Sequence, residues 1–148
     1  MSKPATVFDA LMTRLQADST LSGYVKQFLE GEREIDSVTQ FPTLMVDYLG
    51  SSEEDDTYGV QRITMRAAII LVINVSAKEK QITGDTAAKG ALDYLNDIKK
   101  AIDGDRTLGG TAIHTVMRED NFTTVNFPVR ALTLNLEILF EQTESVRT

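Results

Sequence analysis

One long alternation of apolar residues, between Ile63 and Val75, constrains this chain more than any other feature. Every second residue there is apolar: Ile63, Met65, Ala67, Ile69, Leu71, Ile73 and Val75. A period of two is typical of a β-strand with one face against a core. The other side of this strand is polar at both ends and apolar in the middle, at Ala68, Ile70 and Val72. We expect a second layer, such as another subunit, to cover that middle.

Further periodicities place the remaining elements. Shorter alternations predict strands at residues 44–49, 111–119 and 132–140. Apolar residues recur at spacings of three and four over residues 7–15, 21–29 and 88–102, which predicts three helices. Residues 50–59 are interpreted as a polar connection and residues 120–126 as a turn.

Residues with special backbone preferences set the expected helix ends. Pro4 suits the first turn of the first helix, and the second helix is expected to end near Gly31. Thr83 or Asp85 is predicted to cap the third helix. Gly104 is predicted to end that helix in the left-handed conformation.

The order helix, helix, strand, strand, helix, strand, strand predicts an α+β fold. We expect an antiparallel or mixed β-sheet of about four main strands, with helices packed on one face. The 148 residues suit a single domain spanning 1–148. Residues 141–148 are predicted to be a polar C-terminal tail.

Charge and composition exclude several function classes. The net charge is −7, so the basic footprint of a nucleic-acid-binding protein is absent. DNA that comes near this protein is therefore expected to pass without being bound. The chain has no cysteine, which excludes disulfides and thiolate zinc sites. Its longest apolar run, Ala67 to Ile73, is too short to cross a bilayer, and no membrane partner is predicted.

No residue pattern predicts catalysis. His114 is the only histidine and lies within a predicted strand, without a nucleophile motif elsewhere. Asp103, Asp105 and Thr107 resemble the start of a calcium loop. However, Leu108 stands where that loop needs glycine, and His114 where it needs glutamate. We therefore expect no enzyme, no cofactor and no metal.

The segment ALDYLNDIKKAIDGDRTLGG, residues 91–110, resembles the helix and turn of phage tail terminator and tail completion (neck) proteins. The Phe41-Pro42 pair before a strand, the long strand before the third helix, the size and the acidity are also similar. The resemblance implies a ring subunit, commonly of a hexamer, at the head-proximal end of a tail tube. Such a ring stops tube growth and provides a docking face for the head or neck, while the genome passes through its lumen.

The same resemblance implies other copies of the chain, the tail tube protein and head–tail connector proteins as partners. The location would be the tail or neck of a virion, and the host cytoplasm during assembly. Two alternatives stay open: another neck adaptor ring, or a small α+β ligand-binding or regulatory module. The second of these predicts a concave pocket with convergent polar groups.

Ring closure needs two different contact surfaces on each subunit. The candidate interface combines the acidic run, charged ends of the long strand, the turn after the third helix and the tail. Its residues are Glu53, Glu54, Asp55, Asp56, Arg62, Arg66, Arg106, Leu108, Glu141 and Arg147. The acidic run has three interpretations: a solvated loop, an arm that orders against a neighbour, or a metal site. The metal site is the least favoured, because adjacent carboxylates without a fixed scaffold bind cations weakly.

Overall fold

The computed structural model describes residues 1–34, 37–55, 59–76 and 79–143. They contain helices α1 (Lys3–Ala17), α2 (Ser19–Tyr24) and α3 (Ala91–Asp103), and strands β1 (Gln27–Glu30), β2 (Thr43–Asp55), β3 (Val60–Asn74), β4 (His114–Asn126) and β5 (Val129–Thr143). The strands form a sheet in the order β1-β2-β3-β5-β4. β1 runs parallel to β2, and the other neighbours are antiparallel. The α+β prediction is confirmed, with a mixed sheet of five strands instead of about four.

All three helices pack on one side of the sheet, which we call the helix face. The alternating residues of β3 from Ile63 to Ile73 are at most 1% exposed there. They form one cluster with apolar residues of α1, α2, α3 and β5. The prediction of a one-sided buried strand is therefore confirmed, and the burial of this face explains why β3 is so strictly patterned.

The opposite side of the sheet, which we call the outer face, carries no α-helix among the described residues. Part of it is covered by the chain itself: Val38, Met45 and Val72 form a second buried cluster, with Phe41 and Ile70 packed against it. Val72 is completely buried in this way. The second layer expected over the apolar middle of β3 is therefore supplied at Val72 by the chain itself and not by another subunit.

The first helix begins as predicted, with Pro4 in its first turn and the Ser2 hydroxyl accepting a hydrogen bond from the Ala5 N–H. The second helix is shorter than predicted, because α2 ends at Tyr24.

The predicted helical residues after Tyr24 instead form β1. The Lys26 N–H donates to the carbonyl of Pro42, and the ladder to β2 follows from Gln27. Phe28 packs on the helix face and Leu29 on the outer face, which is strand periodicity. The helical spacing of Leu21, Val25, Phe28 and Leu29 therefore does not determine this segment, because its hydrogen bonds to β2 make residues 27–30 a strand.

The start of α3 also differs from the prediction, since the helix begins at Ala91 instead of residue 88. The carbonyl oxygens of Gln81 and Ile82 accept hydrogen bonds from the N–H groups of Ala91 and Leu92. The loop before the helix therefore supplies acceptors that a capping side chain would otherwise provide.

Asp85, one of the two predicted caps, caps a turn and not the helix. Its carboxylate accepts from the N–H groups of Ala87 and Ala88, both at 2.8 Å. These two bonds lower the pKa of Asp85. At the other end of α3, Gly104 has φ −62°, so the predicted left-handed stop is wrong there.

Three strands run further than predicted. β2 continues to Asp55 through the predicted polar connection, and β4 continues to Asn126 through the predicted turn. β5 extends three residues into the predicted tail, to Thr143, where Gln142 is buried beside Gln61 of β3. Polar residues other than Gln142 remain in these extensions because the ladder bonds their backbone while their side chains face solvent.

No helix in the described part of the chain is long and apolar enough to cross a membrane.

Candidate subunit interface

The sheet has two lateral edges that differ in chemistry. β1 pairs with β2 only from Thr43 to Val46, so no strand of the described residues flanks the outward side of β2 between Asp47 and Ser52. We call the stretch Asp47–Asp55 the acidic edge, because it carries four carboxylates and no lysine or arginine. The opposite lateral edge of the sheet is β4.

Three members of the predicted acidic run lie on this edge. Glu53, Glu54 and Asp55 are exposed residues of β2, so they belong to a strand and not to a loop. Asp56 lies outside the described residues, as does Arg147 of the predicted interface.

Three of the predicted residues share one row across the outer face. Glu54 pairs with Arg62, and Arg62 pairs with Glu141, in the registers of β2, β3 and β5. Arg62 Nη2 lies 3.3 Å from Glu141 Oε1, with both side chains more than 40% exposed. Ion pairs with that exposure contribute about 0–1 kcal/mol. This row is therefore accessible, and it costs little to rearrange.

Arg66 occupies the next exposed position of β3, between Gly50 and Glu137. Its guanidinium lies over Gly50, where a β-carbon would stand 3.1 Å from Nη2. Glu137 accepts a hydrogen bond from Arg118 Nη2 at 3.0 Å. Arg66 and Glu137 line the bottom of a trough of 620 Å³ on the outer face, between Leu49 and Arg118.

Arg106 lies away from this row, against the β4 edge. Its guanidinium binds Asp103, and Nη1 donates to the carbonyl of Thr115 at 3.3 Å. The Thr115 hydroxyl returns a hydrogen bond to the Arg106 carbonyl at 2.8 Å. The turn after α3 is thereby fixed to the first half of β4.

The turn itself is closed around Asp105. The carboxylate accepts from the hydroxyl and N–H of Thr107 and from the N–H of Gly109. The Thr107 hydroxyl, followed by the Gly109 N–H, lowers the pKa of Asp105. Its oxygens thus bind the turn's own donors. In the described ranges, no three His, Asp or Glu side chains form a group that would hold a metal ion.

Leu108 follows in the left-handed conformation, with φ 50°, and its side chain is 2% exposed within the main core. Leu108 was predicted to lie at the interface, but its side chain packs against its own chain and is almost fully covered.

A second polar cluster lies on the helices. Tyr24 donates its hydroxyl to Asp97, and Lys89 contacts the same carboxylate oxygen at 2.9 Å. Burial, followed by the charge of Asp97, raises the pKa of Tyr24, and the hydrogen bond to Asp97 raises the pKa of Lys89. These groups satisfy one another and tie the loop before α3 to α2.

Sequence reasoning missed the exposed apolar residues of both lateral edges. Tyr48 and Leu49 on β2 are 52% and 46% exposed, and Ile113 and Val125 at β4 are 48% and 52% exposed. An apolar residue in an alternating strand is read as core, and only the sheet order reveals which strand has no neighbour. Arg118 was also missed, since no motif marks it.

No family model and no curated protein matches this chain. A chain in the solved structure of the virion of a native gene transfer agent (GTA) particle shares the fold, with a TM-score of 0.52 and 11% sequence identity. The similarity covers 90% of this chain and 93% of that chain. The shared architecture thus extends over nearly the whole of both chains.

Proposed function

We propose that this protein is a structural subunit of a phage-like virion that forms a ring at the head-proximal end of a tail tube. The ring ends tube growth and provides the surface on which the head or neck docks. The role requires binding and no catalysis. The single observation that carries the proposal is the fold shared with a chain of a gene transfer agent virion over 90% of this chain.

The chemistry of the two lateral edges supports a ring. A closed ring uses a heterologous contact, in which each subunit presents two different patches. The acidic edge carries carboxylates without basic residues, whereas the first half of β4 presents Arg118, with Arg106 held against it; Glu119 and Asp120 follow in the second half of β4. Two unlike patches on opposite sides of one sheet meet the requirement for head-to-tail contact.

The partners follow from this role. They are other copies of the chain in a ring of six, the tail tube protein on one side and connector or neck proteins on the other. DNA passes through the lumen without being bound, because a chain of net charge −7 repels phosphate at long range. The protein is placed in the virion, and in the host cytoplasm during assembly.

The experiment combines stoichiometry with localisation. Native mass spectrometry and light scattering of the purified chain, alone and with tail tubes, should give one closed oligomer. Electron microscopy should place that oligomer on one end of each tube, and tubes assembled without the protein should have no uniform length. A chain that stays monomeric with and without tubes overturns the proposal.

A further inference from the structure

Of the eight large apolar side chains that are exposed in the described part of the chain, four lie at the two lateral edges. Tyr48 and Leu49 belong to the acidic edge, Val125 belongs to β4, and Ile113 directly precedes β4. Exposed apolar residues bordered by charges are characteristic of contact surfaces between proteins. Both edges therefore combine apolar area with charge.

The ladder registers show that matching parts of the two edges stand at the same height of the sheet. Asp47 pairs with Ala68 of β3, which pairs with Asn135 of β5. Arg118 stands at that height on the other edge, between the pairs of β4 with Leu136 and Leu134.

Ser52 and His114 are likewise at one height, since both align with Leu139 through the ladders. The stretch Asp47–Ser52 on one edge thus corresponds to His114–Arg118 on the other.

Strand direction and charge favour placing these two stretches together. β2 and β4 run in opposite directions, so a neighbouring copy related by rotation about an axis along the strands brings them side by side in antiparallel orientation. The acidic edge repels a second acidic edge, which disfavours a two-fold contact. His114–Arg118 contains no carboxylate and ends in Arg118, although Glu119 and Asp120 follow it. Arg118 Nη2 lies 3.0 Å from Glu137 Oε2 of its own chain, and both side chains are at least one third exposed, so this pair costs little to rearrange.

A neighbouring copy on this edge also has to pass β1, which flanks β2 at Thr43–Val46. The ladder between β4 and β5 is irregular between Met117 and Asp120, at the height where β1 ends and the acidic edge begins. A bulge bends its strand. The second half of β4 can therefore turn away from β1 of the neighbouring copy while the first half stays against β2.

We propose that the acidic edge of one copy binds the first half of β4 of the next copy, with Asp47 facing Arg118 and Leu49 packed against the apolar side chains of β4. The proposal rests on the ring function above and assigns the surface that closes the ring. The partner is a second copy of this chain, held head to tail.

Cysteine cross-linking tests this contact, because the chain has no cysteine of its own. In the double variant Ser52→Cys, His114→Cys, the two thiols within one chain lie three strand spacings apart, about 14 Å, which is too far for a disulfide. In the proposed ring they face each other across every subunit contact. After mild oxidation, a denaturing gel should show a series of disulfide-linked oligomers, a cross-linking ladder, up to the size of the ring. Each single variant should give no such ladder.

Charge reversal provides the independent arm. Asp47→Lys alone and Arg118→Glu alone should each raise the dissociation constant of the ring at least about tenfold, since like charges then meet at every contact. Arg118→Glu also removes the ion pair with Glu137 of its own chain, a defect that mixing with another variant would not repair. Mixing the two variants should restore rings of alternating subunits. Glu79→Lys and Lys80→Glu, exposed loop residues outside the stretches Asp47–Ser52 and His114–Arg118, are the matched controls and should leave the ring intact.

The outcomes separate the two proposals. Suppose that the unmodified chain forms rings. If the double-cysteine variant then gives no cross-linking ladder, or if neither charge reversal has an effect, the proposed contact is overturned and the ring function stands. A ladder that stops at dimers shows a two-fold contact and also overturns it. An unmodified chain that forms no ring, alone or on tubes, overturns the ring function and this contact with it.

Discussion

Replacing Leu108 by alanine and, separately, by glycine measures two opposing effects at one residue. Its backbone is left-handed, with φ 50°, which costs a residue with a β-carbon about 1–2 kcal/mol. Its side chain is 2% exposed, and burial of a leucine contributes about 1.5–3 kcal/mol. Burial exceeds the strain, and the left-handed conformation persists because the core holds the side chain.

Leu108→Ala keeps the strain and loses the packing, so we expect a loss of about 2–5 kcal/mol in the free energy of unfolding. Leu108→Gly loses the packing as well but removes the strain. In a helix interior glycine is about 1 kcal/mol worse than alanine. At residue 108 the relief of strain cancels or reverses that difference, so Leu108→Gly should equal or exceed Leu108→Ala in stability.

Leu95 of α3 is the matched control, since it is 7% exposed in the same core and lies in a regular helix. Leu95→Gly should be less stable than Leu95→Ala by at least about 1 kcal/mol. Urea unfolding of the four variants, or melting temperatures at about 3 °C per kcal/mol, gives both differences. If glycine is worse than alanine by the same amount at both sites, the argument for strain at Leu108 is refuted.

Three further changes test other contacts. Gly90→Ala should destabilise by about 1–3 kcal/mol in urea unfolding, because the new β-carbon would meet the Ile82 carbonyl and the Gly84 N–H group; Gly23→Ala, in open space, should be neutral or stabilising. Tyr24→Phe removes the hydrogen bond to Asp97 and should cost about 1 kcal/mol in the same assay; an unchanged midpoint contradicts that bond. The pKa of Asp105 is lowered on folding, so this carboxylate stabilises the folded state above its ordinary pKa of 3.8, and the stabilisation is lost as the pH falls through the lower folded value. Asp105→Asn should therefore lower the melting temperature at pH 7 and make it less dependent on pH below about 4; an equal acid sensitivity of both proteins would contradict the assignment.

The strand β3 shows where sequence reasoning succeeds. Its alternation from Ile63 to Ile73 predicts a one-sided strand, and each of these apolar residues is buried. A slip by one residue would expose all of them, so the pattern alone specifies the side that faces the core. The spacing of α1 is informative for the same reason, because Val7, Leu11 and Leu15 are all buried.

The segments with ambiguous spacing show where it fails. Phe28 and Leu29 fit a helical stripe in the sequence, but pairing with β2 makes them a strand. Asp85 is a good capping residue, and it caps a turn because the loop carbonyls of Gln81 and Ile82 already bind the first N–H groups of α3. In both segments, hydrogen bonds to a backbone group elsewhere in the chain determine the local structure: β2 in the first case and the loop carbonyls in the second.

The candidate interface divides in the same way. The charges at Glu54, Arg62 and Glu141 are visible in the sequence, but their common row depends on the registers of three strands. Leu108 belongs to a motif-like turn, and only its burial shows that it packs against its own core.

By itself, the sequence determined the α+β class, the buried side of β3 and the acidic, cysteine-free character of the chain, because each depends on local periodicity or on composition. The tertiary structure alone decided that β2 extends beyond its pairing with β1 and that β4 lies at the opposite edge. It also decided that Asp47 and Arg118 lie at the same level along the strands. Those relations depend on strand order and register, which are set by hydrogen bonds between segments far apart in the chain.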